Sequence, residues 1–362
     1  MKNTRKTFLD VPVDDFLEFT RDQDVPVFHA KQVYDWYFKK GADDFAAMTN
    51  IPLAFREKLA SRYSLHPLHL SRKDVSALDG TIRYHFHGHD GKDISAVYLP
   101  DGDRLSLCLS TQVGCAYRCG FCASGLVPFQ RQLSAAEMLD QILLIQKDQA
   151  RPVTNLLFMG MGEPLANYTQ VLQSIRWITS AQGLGMSPSR VTLSTSGLVP
   201  QIRKLADDGV RVKLAISLHA VRDEVRLKIM PVSGRFGVRE LIKSAKYYFQ
   251  KTKSPVTFEY ILLKGVNDHL ADAIRLAYLV KGFINHVNLI PYNPVGSMPY
   301  ERPSPESVAR FQSWLRQRGV PVFVRKPKGL DIESACGQLG PEAMSNTPQV
   351  PSKRKWRMGA AA

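Results

Sequence analysis

The residues of this chain with the most chemistry to offer are its five cysteines. Cys108, Cys115, Cys119 and Cys122 fall within fifteen positions, and Cys336 stands alone near the end. An odd number of cysteines in a chain of 362 residues argues against a structural disulfide framework. The run Cys115-Ala-Tyr-Arg-Cys119-Gly-Phe-Cys122 has the spacing C-x3-C-x2-C. Three thiolates on one short loop can hold three irons of a 4Fe-4S cubane and leave the fourth iron open to a substrate or cofactor. Zinc is the rival ligand. Its structural sites want four closed ligands, so Cys108 or Cys336 would have to supply the fourth.

A second constellation is Met159-Gly-Met-Gly-Glu163. Its glycines let a ligand approach the backbone closely, and the Glu163 carboxylate can accept hydrogen bonds from a cationic amine. The plainer reading is an ordinary strand-to-helix turn with a solvated Glu. His219 alone reads equally well as a hydrogen-bonded core histidine. His85, His87 and His89 alternate along one strand face and have the residue types of a zinc site, against a plain surface reading. Arg222, Arg226, Lys228, Arg235 and Arg239 crowd after His219 and suit a phosphate backbone, the alternative being a solvated charged loop.

The elements that must position these residues follow from periodicity. Residues 1–75 read as helical, and 76–104 as a linking β-hairpin turning at Gly88 to Gly91. From about residue 105 strands alternate with helices: Leu105–Ser110, Asn155–Met159, Arg190–Thr195, Val212–Ser217, Val256–Leu262 and His286–Ile290. Between them lie helical patterns, of which Ser134-Ala-Ala-Glu137 opens one with a capping box and Asn167 is placed to cap the next. Helical residues also follow Ser304-Pro305-Glu306, and Val320–Lys326 reads as a last strand. Six βα units fit an α/β fold, a partial (β/α)6 barrel over residues 105–340, whose functional groups collect at the carboxyl ends of its strands. The cysteine loop follows the first of these strands, and Met159–Glu163 the second. Residues 341–362 read as a flexible basic tail ending in Lys353–Arg357.

Six ordered motifs carry a resemblance: Cys108–Cys122, Met159–Pro164, Leu193–Gly197, Ala215–His219, Leu289–Asn293 and Ala335–Leu339. Together they closely resemble the RlmN/Cfr family of radical S-adenosylmethionine (SAM) enzymes, which methylate an adenine carbon in 23S ribosomal RNA and, for some members, in transfer RNA. The resemblance implies a radical-SAM barrel with a small N-terminal RNA-contacting accessory domain. It implies a 4Fe-4S cluster on Cys115, Cys119 and Cys122. It also implies a SAM pocket of Gly162, Glu163, Ser194, Ser217, Leu218, His219 and Asn293. It further implies two SAM molecules for each turnover. Cys336 matches the cysteine that takes a methyl group as its thiolate, and Cys108 the one that releases product through a transient disulfide with Cys336. Arg325, Lys326 and Lys328 are near enough in sequence to Cys336 to provide electropositive surroundings. The family usually carries Glu thirteen residues before the resolving cysteine, where this chain has Ser95, too weak a base for the adduct's proton. Asp93, two positions away on the same strand face, is the candidate base; a turn-edge role is its alternative. Pro164 leans to the carbon-2 branch, against a carbon-8 enzyme of the Cfr type or a radical-SAM enzyme with a non-RNA substrate.

Charge fits such a partner. Lys plus Arg number 48 and Asp plus Glu 33, a net +15 that favours an anionic surface such as RNA. All of the excess lies beyond residue 100. Lys39-Lys40 beside Trp36 and Tyr37 are further RNA candidates, against a solvated helix face. No apolar run reaches the ~20 residues of a membrane span, so the expectation is a cytosolic protein; the resemblance implies a monomer that draws electrons from a low-potential donor such as flavodoxin or ferredoxin.

Overall fold

The computed structural model describes residues 5–284, 286–296 and 298–340, so the expected basic tail lies outside the described residues. Three helices, α1 (Val13–Asp22), α2 (Phe28–Asp35) and α3 (Leu53–Arg62), open the chain. Their core is aromatic: Phe8, Phe16, Phe19, Tyr34 and Tyr63 pack edge to face or tilted at centroid separations of 5.4–6.4 Å. β1 (Leu68–Val75) follows within the segment expected to be helical. Its register against the next strand slips between Leu70 and Arg72, which hides its alternation in the sequence. β2 (Ile82–Gly88) and β3 (Asp93–Asp101) form the expected hairpin, and β4 (Arg104–Cys108) pairs antiparallel with β3.

From β4 onward the sheet is parallel. β5 (Asn155–Phe158), β6 (Val191–Thr195), β7 (Lys213–Ser217), β8 (Val256–Leu262), β9 (His286–Pro291) and β10 (Val322–Val324) join in chain order, giving one ten-stranded sheet from β1 to β10. No strand order reverses, so the sheet curls one way into a partial barrel instead of forming a doubly wound layer. Six helices lie along the wall: α4 (Ala135–Gln149), α5 (Tyr168–Thr179), α6 (Val199–Asp207), α8 (Val238–Thr252), α9 (Leu270–Val280) and α10 (Pro305–Arg316). α7 (Asp223–Ile229), between β7 and α8, is a short helix that the periodicity of the sequence does not mark. Burial on both faces explains why β5 reads as a continuous apolar run.

Two helix starts test the capping expectations. At α4 the box is complete: Glu137 N–H donates to Ser134 Oγ at 3.2 Å and Ser134 N–H to Glu137 Oε2 at 2.9 Å. Asn167 caps nothing. Its Nδ2 instead ties the loops behind the barrel mouth, donating to Thr111 O at 2.9 Å and Leu133 O at 2.7 Å.

The N-terminal helices dock on α4 and α5. Buried Asp140 receives Tyr37 Oη at 2.6 Å, His66 Nδ1 at 2.7 Å and the Leu68 N–H at 3.1 Å, while Phe38 stacks on Trp177 at 5.2 Å. Among the described residues no helix is long and apolar enough to cross a membrane.

Candidate active site

The loop after β4 carries Cys115, Cys119 and Cys122. Gly114 begins it at φ +76°, where a Cβ would stand 2.1 Å from the Pro128 carbonyl oxygen. Only glycine fits that close approach. Gly120 N–H donates to Ile229 O at 2.9 Å, fastening the loop to α7, and a Cβ at Gly125 would meet the Cys119 backbone at 3.0 Å. Burial pushes all three thiols above their ordinary range, Cys115 to about 11, and each of Cys115 and Cys119 is raised further by a neighbouring thiol of the three.

The carboxyl ends of β5 to β7 face this loop. Gly162, at φ +101°, presses so closely on Gln112 that a Cβ would lie 2.6 Å from Gln112 Cβ. The buried Glu163 carboxylate accepts the Leu165 N–H at 3.0 Å and the Ser196 N–H at 2.6 Å. Burial raises its pKa, and the Ser196 N–H opposes that rise. Ser194 and Ser217 sit at the ends of β6 and β7. Leu218 is wholly buried, so it offers backbone alone, and its carbonyl accepts Arg226 Nε at 2.9 Å. His219 holds φ +58°; its Nδ1 accepts the Ile261 N–H at 3.0 Å, and its ring meets Phe121 edge-on at 4.8 Å. Burial, reinforced by Arg226, lowers its pKa to about 3, so it is a neutral ring protonated on Nε2.

Cys336 arrives from the other end of the chain. Its loop is fastened on three sides. Asn293 Nδ2 donates to Cys336 O at 3.1 Å, Ala123 N–H to Gly337 O at 2.7 Å, and Ser124 Oγ to Leu339 O at 2.6 Å. Asn293, expected in the SAM pocket, thus also anchors the cysteine loop. Arg325 Nη1 lies 3.7 Å from Cys336 Sγ and 4.0 Å from Met159 Sδ. Its Nε is 3.8 Å from Glu259 Oε2, while Asn288 Nδ2 donates to Glu259 Oε1 at 2.9 Å. The Glu259 carboxylate, and next the charge of Cys336, hold the guanidinium above its ordinary range against burial. Cys108, at the end of β4, is half-buried, its sulfur drawn away from water. That pushes its thiol up to about 12; the Cys336 charge adds to the rise and Arg325 counters it. All five cysteines are free.

Other expected residues lie elsewhere. Asp93 is exposed, its carboxylate 2.6 Å from His87 Nδ1. It stands four residues along β3 from Val97, the partner of Cys108, so about 13 Å of strand separates them. Ser95 is buried nearer to Cys108, its carbonyl accepting Ser110 Oγ at 2.5 Å. His85 and His87 pair with Asp74 and Asp93, and His89 with Ser64 Oγ, so they do not form a metal site. Arg226 is not a phosphate ligand: it is buried and donates to the carbonyls of Leu218, Ser196 and Ser217 at 2.9, 2.6 and 3.1 Å. Arg222 is taken up by Asp272 at 3.1 Å. The Glu259–Asn288 pair was missed by sequence reading, although a carboxylate and an amide at facing positions of two apolar strands are a visible signal.

The family model for the radical SAM superfamily matches residues 109–277, and that for the ribosomal RNA large subunit methyltransferase N-terminal domain matches residues 7–65. A probable dual-specificity RNA methyltransferase RlmN of Alkaliphilus oremlandii is 44% identical over 319 residues, 88% of this chain and 93% of that protein. The chain belongs to the RlmN family of radical-SAM RNA methyltransferases. A relative of the same name from Thermus thermophilus is 45% identical over 88% of this chain and 91% of its own. The crystal structure of a radical SAM methyltransferase from Sphaerobacter thermophilus superposes with a TM-score of 0.88 at 41% identity, covering 92% of this chain and 98% of that one.

The cysteine loop fits the 4Fe-4S cluster of this superfamily. Among the described residues no three Cys, His, Asp or Glu side chains converge on one metal ion, as zinc would require. A cubane gives each thiolate its own iron, so its ligands need not converge. Bound iron would also relieve three buried thiols that burial otherwise holds protonated.

Proposed function

We propose that this enzyme methylates carbon 2 of adenine in ribosomal and transfer RNA, through an S-methyl group on Cys336. The observation that carries the reading is Arg325, 3.7 Å from Cys336 Sγ and close enough to Cys108 to counter the rise of its thiol, with the Cys336 loop fastened to the cluster loop. When bound, the cluster and SAM supply an electron, a 5′-deoxyadenosyl radical and, from a second SAM, the methyl group. The chain's part is to orient and to manage charge. Glu163 and the backbone at Gly162 receive the amino end of SAM, with Ser194, Ser217, Leu218, His219 and Asn293 completing the pocket. Neutral His219 donates from Nε2 and adds no charge beside a sulfonium.

Arg325 accepts the negative charge of the Cys336 sulfur before it takes the methyl group. Once the methyl-derived carbon joins adenine, the Cys108 thiolate attacks the Cys336 sulfur. The S–S bond forms as the S–C bond to the RNA breaks; the electron pair of that bond passes to the ring-bound carbon, which takes up a proton, equal to the one the Cys108 thiol gave up, and becomes the methyl group. Asp93, exposed, paired with His87 and about 13 Å along β3 from Val97, the strand partner of Cys108, stands too far off to be the base for the adduct's proton, so Asp93→Asn should leave turnover unchanged. The enzyme acts as a cytoplasmic monomer supplied by a flavodoxin- or ferredoxin-like donor.

Mass spectrometry of nucleosides from RNA treated with anaerobically reconstituted enzyme tests the reading. Wild type yields 2-methyladenosine, Cys336→Ala cleaves SAM without methylating RNA, and Cys108→Ala accumulates protein joined to RNA. Methylated RNA from Cys336→Ala would overturn the carrier role.

A further inference from the structure

Of the five basic residues expected to meet RNA after His219, Arg222 and Arg226 are instead paired within the fold. Residues 235–328 hold 16 basic and 6 acidic residues, ten of the net fifteen charges. Most of this lies on the outer wall of the barrel at α8, α9 and α10. Along α8, Arg239, Lys243 and Lys246 recur at helical spacing and are exposed. With Ile242 they face Tyr278 and Leu279 of α9 across a shared groove. Tyr278 is 81% exposed, an unusual position for so large a ring. At the far end of the groove a second hollow is rimmed by Lys253, Lys281 and Arg318 over Phe283. Among the described residues, Arg239, Lys243, Lys246, Lys253 and Lys281 form no ion pair. From Arg239 to Lys253 the basic track runs about 21 Å.

We infer that the α8–α9 groove is a binding track for a single-stranded stretch of the RNA substrate, outside the catalytic mouth. An apolar floor, an exposed aromatic ring and a basic rim are the parts from which sequence-tolerant single-strand sites are built. The lysines and arginines meet phosphates, and Tyr278 offers its face to a base. A duplex would leave the ring unused, since its bases stay stacked on each other. The position adds reach. The N-terminal domain docks at α4 and α5, whereas the groove lies on α8 and α9, so an RNA spanning the mouth is held from both sides. This inference rests on RNA being the substrate.

The experiment is fluorescence anisotropy of the reconstituted enzyme with a labelled 12-nucleotide single strand, across a salt series, alongside methylation kinetics on the RNA. Arg239→Gln/Lys243→Gln/Lys246→Gln should lower the slope of log K against log salt by about 2, since each phosphate contact on a single strand contributes about 0.7. Tyr278→Ala should weaken binding by about fivefold or more while keeping most of that slope. Both should raise KM for RNA and leave kcat, and SAM cleavage without RNA, unchanged. An unchanged slope in the triple variant, unchanged affinity in Tyr278→Ala, or displacement of the strand by polyglutamate at equal charge concentration would overturn the track. If wild type failed to methylate RNA at all, the substrate reading itself would fall.

Discussion

Replacing Arg325 with methionine separates electrostatics from packing at the reacting sulfur. The guanidinium nitrogen lies 3.7 Å from Cys336 Sγ, and the thiol faces solvent. At that distance the attraction for an anionic sulfur is about 1.1 kcal/mol in water-like surroundings and about 4.5 kcal/mol at the effective dielectric of a partly buried site. The exposed end of the range applies, so Arg325→Met should slow alkylation of the Cys336 sulfur roughly sixfold. The change also strands Glu259, whose Oε2 then loses its cation in a buried setting. Breaking a buried pair costs about 3–5 kcal/mol, and the part-exposed arginine puts this one near the lower figure. Glu259→Gln removes the stranded charge while its Oε1 still accepts from Asn288. The double variant should therefore recover most of the stability and none of the sulfur's reactivity. Urea denaturation measures the first, and the rate of iodoacetamide labelling at Cys336, located by peptide mass spectrometry, measures the second. Arg325→Lys should restore part of the labelling rate. A double variant that labels like wild type, or a lysine no better than methionine, would refute the role of the cation.

Three further outcomes follow from the geometry. Arg226→Met takes the guanidinium donor from the Ser196 and Ser217 carbonyls, while Leu218 O keeps the Ala220 N–H; at about 1–3 kcal/mol for each carbonyl it should cost at least ~2 kcal/mol in urea denaturation, and a loss under about 1 kcal/mol would contradict the crosslink. Gly114→Ala drives a Cβ into the Pro128 carbonyl, so reconstituted iron per chain should fall by more than about half with far-UV dichroism little changed. Full iron loading would show that the loop can move aside. For His66, burial lowers the pKa but the Asp140 carboxylate outweighs it, leaving a net rise above 6.5. A raised pKa stabilises the fold in full below about pH 6.5 and loses that contribution as pH climbs through the folded value. The stability difference between wild type and His66→Gln should shrink from about pH 6 to pH 9, and a constant difference would sink the assignment.

Local periodicity was enough to define the alternation of β4 to β9 with helices, and the cluster spacing is likewise a property of one short run of residues. Val256–Leu262 and Leu270–Val280 have the same ends in sequence and structure. The order of elements also revealed which loops follow strands, which is why the cysteine loop and Met159–Glu163 could be assigned to the mouth. What each polar group spends its hydrogen bonds on was settled by packing. Arg222 and Arg226 read as free cations until their carbonyl and Asp272 partners are seen, and Asn167 read as a cap until its amide proved to join two loops. The Arg325–Glu259–Asn288 clamp joins three segments that are 29 or more residues apart in pairwise contact along the chain. Hydrogen bonding and desolvation depend on neighbours brought together by folding, and composition or spacing carries no record of who those neighbours are. Periodicity survives in one dimension, whereas satisfaction of a buried charge is settled only in three.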